Sequence, residues 1–432
     1  MTGTSGPREP AAPDRRELWA WAFYDFANSP FATSILAVVF NVYFAGVVAS
    51  AAPVKGVTLW SILVATSTLI SAGLSPYLGA VADLTGRRKW GLTVTAIAGA
   101  SATSSLVIAA PGTWILTSAL FVVASVCFTL SLTFYSSFLN DLSTRSTIGW
   151  VSGFGWAIGY LGGGLCLAIN LVMIRFPETF HIPLDSHWPI RLTFLSVGAW
   201  WMIFTVPVLI FLREPPGPPR ATARTGSIWR EAWKRVLVTI REARRLRKNL
   251  FRFLISYMLY NDVIETVIVV AAIFASSELR MSQSDIVSCF LLIQFVAFAG
   301  ALGFGRAADR WSNIRTIQAA IAAWAVVLVW TVFMTRPEEF WAAGCVIGLI
   351  LGGTQAISRS FFGRMIPEDE KAQFYGFYGL SGKISAAAGP LLFGLVHEWT
   401  SSFRWAIVSL TILLMFGFLI LTGVEEPDAD GR

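Results

Sequence analysis

The chain is predicted to be an all-α membrane protein, with twelve transmembrane helices arranged as two six-helix bundles. Three observations carry that prediction. Of its 432 residues, 55% are hydrophobic and 14% charged, and mean hydropathy is +0.62, well outside the range of soluble globular domains. Twelve apolar stretches match the roughly 20 residues that cross a bilayer as a helix. An open strand in lipid would leave its backbone N–H and C=O groups unpaired. Finally, a polar string between two apolar runs returns in the other half of the chain. The first copy is Gly79-Ala-Val-Ala-Asp83-Leu-Thr-Gly86-Arg87-Arg88-Lys89, and the echo is Gly305-Arg306-Ala-Ala-Asp309-Arg310-Trp-Ser-Asn-Ile-Arg315. In both, Asp follows Gly by four positions and a basic residue closes the string ten positions after that Gly. Duplication of this kind inside a hydrophobic chain marks a carrier made of two repeated bundles.

In chain order, residues 1–18 form a polar, Pro-bearing tail, too poor in apolar side chains to fold alone. The first bundle, 19–213, holds spans at about 20–49, 58–82, 90–110, 114–139, 149–174 and 192–212. The connection at 214–249 begins as a stiff break in Arg-Glu-Pro-Pro-Gly-Pro-Pro (213–219). It then places Trp229, Trp233, Val236, Ile240 and Ala243 at helical spacing among Arg and Lys. That pattern predicts a basic amphipathic helix on the inner leaflet, tethering the halves and limiting their rocking. The second bundle, 250–424, holds spans at about 250–275, 286–308, 315–335, 338–360, 374–396 and 404–424, and an acidic tail (425–432) follows.

Charge orients these spans. With both termini cytoplasmic, inner tails and loops hold 26 of the 33 Lys and Arg, and the outer side keeps six. The positive-inside rule therefore places both termini in the cytoplasm, and the expected location is the cell (inner or cytoplasmic) membrane. The net charge of +7 is accounted for by orientation, and without a basic patch interleaved with aromatics it does not point to nucleic acid. Cys127, Cys166, Cys289 and Cys345 fall within spans at unrelated spacings and read as small packing residues. His181, His187 and His397 have no paired spacing, so no metal site is expected. Neither a Gly-rich nucleotide loop nor a nucleophile–base arrangement stands out, which excludes a cofactor and an enzyme reading. Val-Val-Ala-Ser-Ala-Ala at 47–52 imitates a signal cleavage site, but cutting there would remove a helix from the six-plus-six pattern.

The string at 79–89 resembles the loop signature between helices 2 and 3 of the major facilitator superfamily. Further strings narrow the family. Tyr24-Asp25-Phe-Ala-Asn28 opens the first span and Tyr260-Asn261-Asp262 sits in the seventh. Ser152-Gly153-Phe-Gly155-Trp-Ala-Ile-Gly159-Tyr-Leu-Gly162-Gly163-Gly164 occupies the fifth. Gly352-Gly-Thr-Gln355-Ala-Ile-Ser-Arg359 and Phe374-Tyr-Gly-Phe-Tyr-Gly-Leu-Ser-Gly-Lys383 mark the tenth and eleventh. Together these resemble the vacuole-effluxer family, over about 18–424. The resemblance implies the major facilitator fold, alternating access, no enzyme activity and a monomer; the compact length and short outer loops suggest a bacterial member. It also implies a gate at the cytoplasmic end, built from Gly79, Asp83, Gly86, Arg87 and Arg88, with Asp309 and Arg310 of the second copy. Lacking Gly-Arg-Arg, that copy is expected to be the weaker latch. Asp141 and Arg145, closing the fourth span, are assigned to the same gate. In the fifth span Gly155, Gly159, Gly163 and Gly164 fit an antiporter signature, but Tyr160 stands where it has Pro. Close helix packing explains those glycines better than antiport does.

Charges inside the spans each need a reason, since one at mid-membrane costs roughly 2.5–3.5 kcal/mol on insertion scales. Tyr24, Asp25 and Asn28 share one helical face, and Asn261 and Asp262 each fall within one turn of Glu265. These residues, with Lys383, are expected to reach one central cavity, where they would hold the ends of a zwitterion or relay a proton; Glu265 is the preferred carrier. The alternative is a static network with Lys383 paired to one carboxylate. Gln355 and Arg359 contact solute in this reading, although Arg359 reaching back to the inner surface fits equally. Trp156 and Tyr160 are candidate cavity walls, and Trp150 reads as an interface aromatic. The expected function is proton-coupled transport of a small polar solute, amino acids foremost. Export of amphipathic compounds, or a non-transporting sensor or scaffold, stand as alternatives.

Overall fold

The structure, a computed structural model, describes residues 14–54, 56–144, 146–214, 225–243, 248–367, 370–385 and 388–426. All of the regular structure among them is helical. Asp14 starts the first helix by accepting the Arg16 N–H at 3.0 Å, satisfying one of the donors that a helix start leaves open. Helix α1 (Arg15–Pro30) ends at a proline. Pro30 has no N–H to offer the Phe26 carbonyl, and the Trp200 indole N–H fills that place at 3.0 Å. The chain widens into a π-helical stretch, Phe31–Val38, before α2 (Phe40–Gly46) completes the crossing. The first predicted span is therefore one broken helix.

Helices α3 (Gly56–Thr85), α4 (Arg88–Ser105), α5 (Trp114–Ser137), α6 (Ile148–Arg175) and α7 (Trp188–Phe211) complete the first bundle. The basic connection forms α8 (Thr225–Ala243). The second bundle comprises α9 (Lys248–Ser277), α10 (Gln283–Arg310), α11 (Asn313–Phe333), α12 (Pro337–Met365), α13 (Lys371–Ser385), α14 (Ala388–Thr400) and α15 (Phe403–Thr422). Among the described residues eleven helical segments are long and apolar enough to cross a membrane. The twelfth crossing is shared by the shorter α13 and α14. Trp21, Trp201 and Trp324 are fully buried in the bundles, whereas Leu69, Ile115, Val326 and Ile412 lie exposed on outward faces. Such apolar exteriors belong in hydrocarbon rather than water.

The bundles meet along two seams where glycines let backbones touch. At the first, between α3 and α13, a Cβ at Gly79 would collide with the Ala372 carbonyl, and one at Gly376 would lie 2.7 Å from the Ser75 carbonyl oxygen. At the second, between α6 and α10, a Cβ at Gly149 would lie 2.7 Å from the Gly305 carbonyl, and one at Gly153 would collide with Ala301. Each seam pairs one helix from each half.

Candidate functional site

Each copy of the repeated string presents its aspartate to a helix start in the opposite bundle. Asp83, at the end of α3, accepts the Ala372 N–H at 3.1 Å and the Gln373 N–H at 2.9 Å, in the first turn of α13. Asp309, at the end of α10, accepts the Gly149 N–H at 2.9 Å and the Trp150 N–H at 2.6 Å, in the first turn of α6. The free N–H groups of a helix start carry partial positive charge, so each carboxylate is held by hydrogen bonds and field together.

Side chains add to both contacts. Arg88 Nη2 lies 2.9 Å from Asp141 Oδ2, a charge contact rather than an aligned hydrogen bond, while Arg88 Nη1 donates to the Ser137 carbonyl at 2.9 Å. Lys371 of the second bundle donates to Asp141 Oδ1 at 2.9 Å. On the other seam Arg364 donates to Asp309 at 3.0 Å and lies 3.9 Å from Glu426. Glu214, just past the first bundle, accepts the Arg88 and Lys89 N–H groups at 2.8 and 2.7 Å, capping α4. Burial pushes the Glu214 carboxyl up, against the pull of those N–H groups and of Arg88. Glu426, just past the second bundle, caps α11 through the Asn313 N–H at 2.9 Å and the Ser312 hydroxyl.

Three expectations about this end change. The second latch, expected to be the weaker one, makes the same two backbone bonds as the first and adds an ion pair to Arg364. Arg87 is exposed, because the chain turns at Gly86 (φ 63°) and delivers Arg88 to Asp141 instead. Arg310, the last residue of α10, is exposed as well, and the arginine paired with Asp309 is Arg364. Arg145 lies outside the described residues.

Deeper in, Arg359 and Asp25 join the bundles. Arg359 on α12 lies six residues, about 9 Å of helical rise, before Met365. It is 4% exposed and does not reach the surface. Its Nε donates to Ser152 Oγ at 3.0 Å and its Nη2 to the Ser152 carbonyl at 2.7 Å, both on α6. Its Nη1 lies 3.8 Å from Asp25 Oδ2 on α1, which also accepts the Tyr135 hydroxyl at 3.2 Å. The Trp21, Tyr135 and Trp156 rings surround the guanidinium at 5.4–5.5 Å, close enough for cation–π attraction. Trp156 packs on Tyr160, their centroids 5.8 Å apart, and Tyr160 lies within charge range of Asp25, Arg359 and Glu265. An arginine, the Asp25 carboxylate and a ring of aromatics are thus assembled from α1, α5, α6 and α12.

The other candidates are placed differently. Asn28 is buried but donates to the Tyr24 carbonyl of its own helix at 2.8 Å, so a helical back-bond satisfies its amide. Tyr24 packs on Tyr135 at 5.5 Å. Asn261 lies against Gly382 of α13, while Asp262 faces Gly389 at the start of α14, beside Thr266. Of the cluster expected from the first, seventh and eleventh spans, Asp25 is engaged by Arg359 of the tenth, and Asp262 faces Gly389 of α14. Gln355 is partly buried one turn from Arg359. Lys383 lies on α13, with its side chain outside the description. The glycines of α6 pack on α1: a Cβ at Gly162 would strike the Phe26 backbone, and one at Gly159 would lie 3.1 Å from the Asp25 carboxyl carbon. Among the described residues no group of three or more His, Cys, Asp or Glu is arranged for a metal.

Sequence reasoning missed Ser152 and Tyr135 as anchors, and Arg364, Lys371, Glu214 and Glu426 at the latches. One signal was present: Arg213-Glu214-Pro215 after the first bundle is echoed by Glu425-Glu426-Pro427 after the second.

Residues 42–430 match the family described as vacuole effluxer Atg22 like. The MFS-type transporter YxiO of Bacillus subtilis (strain 168) is 28% identical over 415 residues, 94% of each chain. Autophagy-related protein 22 of Yarrowia lipolytica is 31% identical over 304 residues, 64% of this chain and 50% of its own length. The chain thus spans about half the length of the fungal relatives. In three dimensions it is similar to the human organic anion transporter MFSD10, with TM-score 0.74 and 15% identity over 95% of this chain and 100% of that one. The proton:xylose symporter XylE gives a TM-score of 0.68 at 12% identity, over 96% of each chain. At such identities the two structures establish the major facilitator fold alone.

Proposed function

The chain belongs to the vacuole effluxer Atg22-like family of the major facilitator superfamily, and from that membership we propose a secondary transporter that moves a small polar solute, amino acids foremost, by alternating access. The observation that carries this reading is the Asp25–Arg359 contact. It places opposite charges from opposite bundles side by side, enclosed by aromatic rings and lying below both latches. A zwitterion entering between the bundles gives its carboxylate to Arg359 and its ammonium to Asp25. Release of Arg359 from Ser152 and Asp25 then unties the halves. Glu265, within charge range of Tyr160, is assigned the coupled proton. In this arrangement the end bearing the latches is shut, and that end is the cytoplasmic one by its positive charge. The protein works as a monomer in the cell membrane with both termini inside.

The test is flux in proteoliposomes, with amino acids supplied under an imposed proton gradient. Arg359→Lys abolishes flux at normal expression, and Glu265→Gln uncouples it from the gradient; a wild-type chain without flux of any solute would favour a sensor or scaffold. The Trp21, Tyr135 and Trp156 rings support a second reading, an exporter of amphipathic anions. Thermal shift against amino acids and amphipathic anions separates the two, because a ligand of the native state raises apparent stability.

A further inference from the structure

Helix α8 lies across the first seam. Its Ala232 and Val236 are buried against Tyr77, Ala80, Val81 and Leu84 of α3 and Phe377 of α13. One turn on, Thr239 Oγ1 accepts the Gln373 side-chain amide at 2.7 Å. Gln373 is also the residue whose N–H binds Asp83. A single α13 residue thus holds the latch with its backbone and the strap with its side chain. Beyond that docked stripe α8 is open among the described residues: Trp229, Trp233, Leu237 and Val238 are 40–54% exposed, and Arg230 and Lys234 stand exposed among them.

We propose that this face binds the anionic headgroups of the inner leaflet, and that lipid so bound clamps α8 over the seam and favours the closed latches. The level of the face points to lipid. Trp229 and Trp233 touch the Tyr77 ring, with centroids 5.9 and 5.8 Å apart. Tyr77 lies on a spanning helix, six residues or about 9 Å below Asp83. Indole rings at that depth meet the bilayer interface, where tryptophan is favoured. The adjoining Arg230 and Lys234 complement anionic headgroups, each engaged base being worth about fivefold in binding. Coupling follows from Gln373 and Phe377. Opening the seam withdraws the start of α13, which breaks the Thr239 bond and strips Phe377 from α8. Lipid that engages α8 in its docked pose therefore binds the closed state better, as a population shift requires.

The inference rests on the alternating-access reading, and the experiment separates the two. The full chain, its four cysteines replaced by alanine, carries spin labels at Arg87→Cys and Arg310→Cys, one on each bundle. Distances are measured in nanodiscs of phosphatidylcholine alone and of an equal mixture with phosphatidylglycerol. Phosphatidylglycerol is expected to raise the closed-to-open ratio by about fivefold per engaged base. High salt and the Arg230→Gln/Lys234→Gln variant each abolish that gain. Thr239→Val lowers the ratio by about fivefold in both lipids. If Asp83→Asn opens the seam while lipid composition leaves the distances unchanged, the lipid clamp is overturned and alternating access stands. If no variant and no lipid moves the labels, both are overturned.

Discussion

Asp309 stands to the first turn of α6 as Asp83 stands to the first turn of α13. Each is the fourth residue after a glycine that lies on a seam, and each accepts two consecutive N–H groups from the other bundle. The Asp309 bonds are the shorter pair, and Arg364 adds an ion pair at 3.0 Å. Asp309→Asn is therefore expected to open this end at least as much as Asp83→Asn. Each change should cost the closed state about 1–2 kcal/mol, the scale of a carboxylate in a helix-start field. Label distances across the end read the outcome. A large response to Asp83→Asn with none to Asp309→Asn would contradict the equivalence.

The Arg359 site predicts a non-additive double substitution. Arg359→Ala leaves Asp25 buried beside Tyr135 with its cationic partner gone, a loss of about 3–5 kcal/mol when one member of a buried pair is removed. Asp25→Asn together with Arg359→Ala restores much of that stability, because the stranded charge disappears with its partner. Flux stays lost in the double variant, since both solute contacts are gone. Melting temperature in detergent reads the first effect and proteoliposome uptake the second. Simple additivity of the two stability losses would sink the pairing.

How much of this was legible in the sequence depends on the range of each contact. The latch aspartates were readable because Gly79 to Asp83 and Gly305 to Asp309 are local patterns that repeat. Their receivers were not, because any helix start supplies N–H groups and nothing local assigns α13 to Asp83 or α6 to Asp309. The spans were readable from apolar length alone. The broken first helix was only half so: Pro30 was visible, but the Trp200 indole that takes over at Phe26 comes from 174 residues away. Asp25 and Arg359 were each marked by charge in lipid, yet their pairing crosses from α1 to α12. Lys383 competed for Asp25 because charge alone does not choose a partner. Arg310 was favoured over Arg364 because it sits inside the repeated string, whereas Arg364 reaches Asp309 only through the fold.

The seam glycines give a steric prediction. A Cβ at Gly79 runs into the Ala372 carbonyl, while one at Gly46 meets nothing within 4 Å. Gly79→Ala must push α3 from α13 and lengthen the Asp83 bonds, costing the closed state about 1–3 kcal/mol as overpacking does. Gly46→Ala serves as the matched control and should leave the label distances unchanged. Equal behaviour of the two variants would show that the α3–α13 contact is looser than described.

Glu214 and Glu426 are expected to be interchangeable in kind and independent in effect. Each follows the last helix of its bundle and caps the third span of that bundle: Glu214 through the Arg88 and Lys89 N–H groups, Glu426 through the Asn313 N–H and Ser312 hydroxyl. Replacing either with Ala frees donors at a helix start and should cost about 0.5–2 kcal/mol, the usual worth of a cap. Amide exchange should quicken at residues 88–89 in Glu214→Ala and at 313–315 in Glu426→Ala, each leaving the other site untouched. The two losses should add in the double variant, because the caps share no partner and lie in different bundles. Latch geometry adds a finer expectation. Arg364 retains Asp309 when Glu426 is lost, and Arg88 retains Asp141 when Glu214 is lost. Faster exchange at α4 or α11 should therefore appear without opening of the seams. Opening in either single variant would mean that the caps and the latches act as one unit.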